Sequence, residues 1–169
     1  MKPPATPARL RAADASDLAA INAIYNHYVV SSTATYQTEP ETEAGRAQWF
    51  AAHGPEHPVT VAELDGEVVG WDWLSRFHPR AAFLRTVEDS VYIRHDCHGR
   101  GLGRALLADL IVRATAAGHH TIVAAISADQ EPSLRLHLGF GFIETGRLRE
   151  VGLKFGRRLD VAYLQLMLG

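Results

Sequence analysis

His98-Gly99-Arg100-Gly101-Leu102-Gly103-Arg104-Ala105 is the stretch whose reading decides the fold. Three glycines alternate, arginines interleave with them, and Leu106, Leu107, Leu110 and Ile111 follow at once at helical spacing. Upstream, Val87 to Ile93 reads as a strand. A strand, a glycine-rich turn and a helix build an anion cradle, because unobstructed N–H groups gather at the positive end of a helix dipole. Glycine lets the turn adopt left-handed dihedrals and lets a phosphate approach the backbone. The expectation is a phosphorylated ligand held at residues 98–104. A dinucleotide fingerprint is excluded by Arg104, which stands where its third glycine belongs, and a phosphate-loop NTPase by the lack of Gly-Lys-Ser/Thr.

Composition limits the alternatives. A chain of 169 residues, 47% hydrophobic and 21% charged, suits one core-forming domain. A net charge of −2 argues against a nucleic-acid surface. The single cysteine, Cys97, cannot form an internal disulfide and fits a reducing compartment. The N-terminal stretch lacks the apolar region of a secretory signal, and the apolar run at 121–128 is too short to span a bilayer, so a cytoplasmic location without membrane contact is expected.

Patterning predicts a ragged segment over 1–7 and one domain over 8–169. Ala8 to Ala12 reads as an edge strand, and Asp14 as the N-cap of a helix carrying Leu18, Ile21, Tyr25 and Tyr28. A weaker helix follows over Thr42–His53. Strands over Val59–Leu64 and Glu67–Leu74 are joined by Asp65-Gly66, a strong hairpin signal. A strand over Arg85–Ile93, a helix over Gly103–Ala117 and a buried parallel-type strand over Thr121–Ile126 come next. Pro132 opens a short helix through Leu138, and strands over Phe142–Arg149 and Asp160–Leu168 close the chain. The order βααβββαβαββ implies an α+β fold: a mixed, mostly antiparallel sheet containing one parallel strand–helix–strand crossover.

Candidate chemistry clusters around this crossover. Alternation places Glu88, Ser90 and Tyr92 on one face of their strand and Val87, Asp89, Val91 and Ile93 on the other. Glu88, an acidic side chain on the strand that leads directly into the phosphate loop, is a candidate general base. His137 titrates near neutrality and could donate or relay a proton, or simply pack. Arg80 could grip a carboxylate, while Tyr36, Phe83 and Tyr92 could wall an acceptor pocket or belong to the core. Cys97, beside His95 and His98, reads as a packing residue, because contiguous side chains diverge and no second ligand cluster has zinc-like spacing. His119 and His120 read as a solvated loop pair.

The glycine stretch resembles the pyrophosphate loop of the GNAT superfamily of acyl-CoA N-acyltransferases, Arg/Gln-x-x-Gly-x-Gly/Ala, with His98 in the first position. The element order is similar too. Residues 24–29, 32–40, 85–93, 98–107, 133–142 and 146–166 resemble the phosphinothricin and methionine sulfoximine acetyltransferase branch, so the likeness spans nearly the whole chain. It implies direct transfer from acetyl-CoA to the α-amine of a small amino acid or analogue in a ternary complex. It implies Glu88 as base and His137 as a second active-site residue. Val91, Tyr92, Ile93, the loop His98, Gly99, Arg100, Gly101, Leu102, Gly103, Arg104, and Gln130 with Ser133 would contact the coenzyme. Tyr36, His78, Arg80, Phe83 and Tyr92 would border the acceptor; no metal is implied, and a homodimer is. The chain departs from the branch at His78 (often lysine), Phe83 (often tyrosine), Arg85 (often tryptophan), Gln130 (usually asparagine), Leu138 and Phe140. Rival readings are a non-catalytic acyl-CoA sensor and an enzyme that acetylates protein N-termini or lysines.

Overall fold

The computed structural model describes residues 8–169, so the ragged segment expected over residues 1–7 lies outside it. Its elements are β1 Arg9–Ala12, α1 Leu18–Ser31, α2 Glu43–Ala51, β2 Val59–Leu64, β3 Glu67–Arg76, β4 Thr86–Ile93, α3 Leu102–Ala116, β5 Thr121–Ser127, α4 Glu131–Leu138, β6 Ile143–Lys154 and β7 Arg157–Met167. The order is the expected one. Asp14 caps as expected, accepting from Ser16 N–H, but a 3-10 turn over Ala15–Asp17 precedes α1. Asp17 anchors that turn: it accepts two hydrogen bonds from the Arg11 guanidinium, at 2.7 and 2.8 Å.

All seven strands form one sheet in the order β1-β2-β3-β4-β5-β7-β6, and only the β4–β5 pair is parallel. β2 and β3 join through Asp65 and Gly66, both at positive φ, as a two-residue hairpin requires. β6 and β7 join the same way through Phe155 and Gly156, at φ 52° and 70°. The alternating pattern hid this second hairpin, because β6 bulges between Leu148 and Gly152, where Glu150 has φ 55°. A bulge breaks the period of two. Both late strands therefore run further towards each other than the sequence predicts.

The two sheet faces bury different chemistry. α3 packs Leu107, Leu110 and Ala114 against Leu74, Val87, Ile122 and Leu164, an aliphatic layer with no exposed member. The opposite face carries an aromatic layer of Trp71, Trp73 and Tyr92 against Tyr25 of α1 and Trp49 of α2. The Arg46 guanidinium, buried, lies 4.7 Å from the ring centres of both Tyr25 and Trp49. Its charge is held by π faces and one hydrogen bond to Asn22.

Asp72 of β3 interrupts the polarity rule. It is fully buried and neither carboxylate oxygen has a hydrogen-bond partner among the described residues. Burial, reinforced by Asp109, pushes its pKa well above the ordinary carboxylate range. Its folded value therefore exceeds the unfolded one, so this group takes stability away as pH rises from the unfolded to the folded value. Asp72→Asn should raise Tm at pH 8 by about 3 °C, the shift expected from about 1 kcal/mol in a domain of this size, and by less at pH 5. Calorimetric scans showing a loss, or the same gain at both pH values, would contradict this.

Candidate active site

The site begins where a strand pair stops pairing. β4 and β5 are in register over only three pairs, Thr86–Thr121, Val87–Ile122 and Glu88–Val123. Beyond them β4 continues along β3 to Ile93, while β5 continues along β7 to Ser127. The two strands splay, and a cavity of about 380 Å³ occupies the wedge. Its walls include Asp89 to Ile93 on one side and Ala124 to Ser127 on the other, both with strand edges that no neighbouring strand satisfies. Such edges demand partners. A ligand with amide groups is one that can supply them.

The glycine loop closes one end of this wedge. Gly101, at φ 79°, is the N-cap of α3, and Gly99 is at φ 73°. Left-handed backbone at these two positions explains glycine there. The first helical N–H with a carbonyl partner is that of Ala105, bonded to Gly101 O at 3.0 Å. The N–H groups of Leu102, Gly103 and Arg104 precede it and have no intrahelical acceptor. Gly99, Gly101, Leu102 and Gly103 line the cavity; Arg100 and Arg104 do not, and the Arg104 guanidinium lies 5.1 Å from the Phe140 ring centre.

His98, which holds the first position of the loop motif, is tied to α1. Its Nε2 lies 2.7 Å from Tyr28 Oη, which donates to Ile93 O at 2.5 Å. With the phenol proton so engaged, Nε2 carries a hydrogen and donates to Oη. The contact pins the loop to α1 and to the end of β4.

Gln130 and Ser133 line the same cavity at the start of α4. Gln130 Nε2 donates to Thr33 Oγ1, which donates to Asp129 Oδ1; Ser127 Oγ donates to the same oxygen, each at 2.7 Å. This network ties the entrance of α4 to the segment after α1.

His137 also lines the cavity but is buried. Its Nδ1 faces Ser133 O at 2.7 Å and its Nε2 faces Asp89 Oδ2 at 2.9 Å. Burial lowers its pKa, but the Asp89 carboxylate more than compensates, and the net direction is upward. Both ring nitrogens thus face acceptors.

Glu88 faces a second cavity of about 320 Å³, lined also by Tyr36, Ala125, Lys154 and Tyr163. Its carboxylate makes no hydrogen bond or ion pair among the described residues, and burial, then the neighbouring Asp89, raises its pKa. Ala125 lines both cavities, so the wedge and the Glu88 pocket share a wall residue. Tyr36 Oη reaches to 3.5 Å from the Ala125 carbonyl.

The other expected acceptor residues fall elsewhere. Phe83 stands beside Phe77 and His78, and Arg80 N–H donates to His78 Nδ1, all on the β3–β4 connection. None of the three lines either cavity. Tyr92 belongs to the aromatic layer and also edges the wedge, its hydroxyl donating to Ala34 O at 3.1 Å. Cys97 is a buried packing residue, as read. His119 is a correction: it is buried, with Nε2 2.6 Å from Glu56 O, because the turn after Gly118 folds under the β2 entrance. Asp89, Tyr28, Asp129 and Lys154 shape the site, but the sequence did not single them out as site residues.

Residues 21–142 match the family model described as acetyltransferase (GNAT) family. The chain belongs to that family. The GNAT chain is 43% identical over 163 residues to the L-methionine sulfoximine/L-methionine sulfone acetyltransferase of Pseudomonas paraeruginosa, covering 95% of each. It is 40% identical over 160 residues to the L-amino acid N-acyltransferase of Escherichia coli K12, covering 94% of this chain and 93% of that one. Its fold is similar to the phosphinothricin acetyltransferase of Sinorhizobium meliloti solved with acetyl-CoA: TM-score 0.94, 38% identity, 97% and 90% covered. Among the described residues no cluster of His, Cys, Asp or Glu could hold a metal, and no helix is long and apolar enough to cross a membrane.

Gly101→Val should weaken acetyl-CoA binding more than tenfold, since a β-branched residue resists φ 79° and would turn the loop's N–H groups aside. Unchanged affinity by calorimetry would contradict the cradle.

Proposed function

We propose that this enzyme transfers the acetyl group of acetyl-CoA to the α-amine of a small amino acid or analogue of the methionine sulfone, methionine sulfoximine or phosphinothricin type. The observation that carries the reading is Ala125, which lines both the wedge and a small pocket holding an unpaired, half-buried glutamate. The names of the relatives above support the acceptor class.

In this reading the diphosphate lies on the free N–H groups at the head of α3. The amide-bearing arm of the coenzyme runs between the splayed strands along Val91, Tyr92 and Ile93, with Gln130 and Ser133 on the facing side. The thioester then reaches Ala125. Glu88 takes a proton from the substrate ammonium, the amine attacks the thioester carbonyl, and the C–S bond breaks as the tetrahedral adduct collapses, the leaving sulfur taking up the second proton of the attacking nitrogen so that free CoA thiol departs. His137 acts as a brace that holds α4 against β4, because both its nitrogens already face acceptors. The acceptor roles of His78, Arg80 and Phe83 would need the β3–β4 connection to fold over the Glu88 pocket when substrate enters.

The enzyme works in the cytoplasm, where its one cysteine stays reduced, and the exposed edge of the sheet supports a homodimer. β6 is an edge strand of 12 residues on which Leu148, Val151 and Leu153 are exposed. Long apolar edges attract partners. Light scattering should return twice the chain mass; a monomer at micromolar concentration would overturn the dimer.

Glu88→Gln should lower kcat by about 10²–10⁴ near pH 7, the usual range for a lost acid or base. The raised pKa sets the sign of the pH effect. The wild type should lose activity as pH falls through an inflection above the ordinary glutamate value of 4.5, where the base becomes protonated. A variant with full turnover would remove Glu88 from the mechanism.

A further inference from the structure

Two charged groups line the Glu88 pocket: Glu88 itself and Lys154, the last residue of β6. The remaining wall is Tyr36, Tyr163 and mostly aliphatic side chains. Lys154 is 4% exposed and has no ion-pair partner among the described residues. Its Nζ donates instead to three backbone carbonyls, of Ser32 at 2.6 Å, Thr35 at 2.7 Å and Tyr28 at 3.4 Å. A neutral amine has two hydrogens and could not serve three acceptors, so the group is an ammonium. Two of the carbonyls belong to the C-terminal end of α1, the negative pole of that helix, which stabilises the cation where burial disfavours it.

A buried cation with no counter-ion, in the wall of a substrate pocket, leaves a positive potential that low polarity magnifies. Across the same pocket Glu88 carries the opposite sign. The pair matches the charges of an α-amino acid zwitterion, with the ammonium towards the base and the carboxylate towards Lys154.

We infer that Lys154 is a specificity-determining residue: its charge selects acceptors that carry a free α-carboxylate and turns their amine towards Glu88. This inference rests on the acceptor class proposed above. All three N–H groups of Lys154 are engaged by the protein, so the charge acts through space and not through a direct hydrogen bond. The three carbonyl contacts would also serve a purely structural pin for residues 28–35, and the test must separate the two roles.

The test compares methionine sulfone with its carboxamide, in which the carboxylate is neutral and the amine is retained. Wild-type kcat/KM should favour the free acid. Lys154→Met keeps the length of the stem and removes the charge. It should reduce kcat/KM for the acid tenfold or more, chiefly through KM, and change the amide less than threefold. Comparing ratios between the two enzymes cancels the difference in amine basicity. Equal losses on both acceptors would show a structural pin and overturn the inference. So would a wild type that treats acid and amide alike.

A second measurement does not depend on the variant folding. The deamino analogue of methionine sulfone keeps the carboxylate and lacks the amine, and wild-type calorimetry in the presence of CoA should detect it binding at least tenfold more tightly than its own primary amide. Equal affinities would overturn the inference. Failure of the acceptor class is distinguishable: no acetylation of any amino acid sinks the proposed function, whereas brisk acetylation of acid and amide alike sinks the role of Lys154 alone.

Discussion

Three residues of parallel pairing between β4 and β5, and no more, are the constraint on which the site depends. Had the ladder continued, the edges of residues 89–93 and 124–127 would satisfy each other and no wedge would exist. Past that point each strand keeps only its outer partner: β4 pairs with β3 over seven residues, and β5 with β7 over seven. A crossover helix then starts at the mouth of the gap, with its unpartnered N–H groups facing in. Ligands in sheets of this kind gather beyond the carboxyl ends of parallel strands, and the gap here is that position enlarged.

One strand serves both halves of the chemistry because its faces alternate. On one face of β4, Glu88 opens into the small pocket and Tyr92 enters the aromatic layer. On the other, Val87 is core, and Asp89 holds the His137 imidazole of α4. The buried charged side chains around the site are each matched differently: Asp89 by the His137 ring, Arg46 by aromatic faces, Lys154 by a helix terminus. A charge matched only by dipoles remains available to a ligand's opposite charge. This distinguishes Lys154 from the others.

Much of this was legible in the sequence, for physical reasons that can be named. Glycines that must sit at positive φ before a helix, an Asp-Gly turn, and strict alternation in β4 all act within a few residues, so local pattern reports them. The order of elements followed, and with it the parallel crossover. The Asp89–His137 pair spans 48 residues and the reach of Lys154 to Thr35 spans 119, and contacts of that range leave no periodic trace. The Phe155-Gly156 hairpin escaped because phenylalanine rarely occupies the left-handed region, and the bulge at Glu150 hid the strand leading into it. His119 escaped because a carbonyl supplied by a distant loop made burial tolerable.

The most direct measurement is a crystal structure of the protein with acetyl-CoA and methionine sulfone. The account predicts the diphosphate on the N–H groups of residues 101–104, the coenzyme arm between β4 and β5, and the thioester at Ala125, with the acceptor amine beside Glu88. A coenzyme bound outside the wedge, or a thioester pointing away from Ala125, would contradict it.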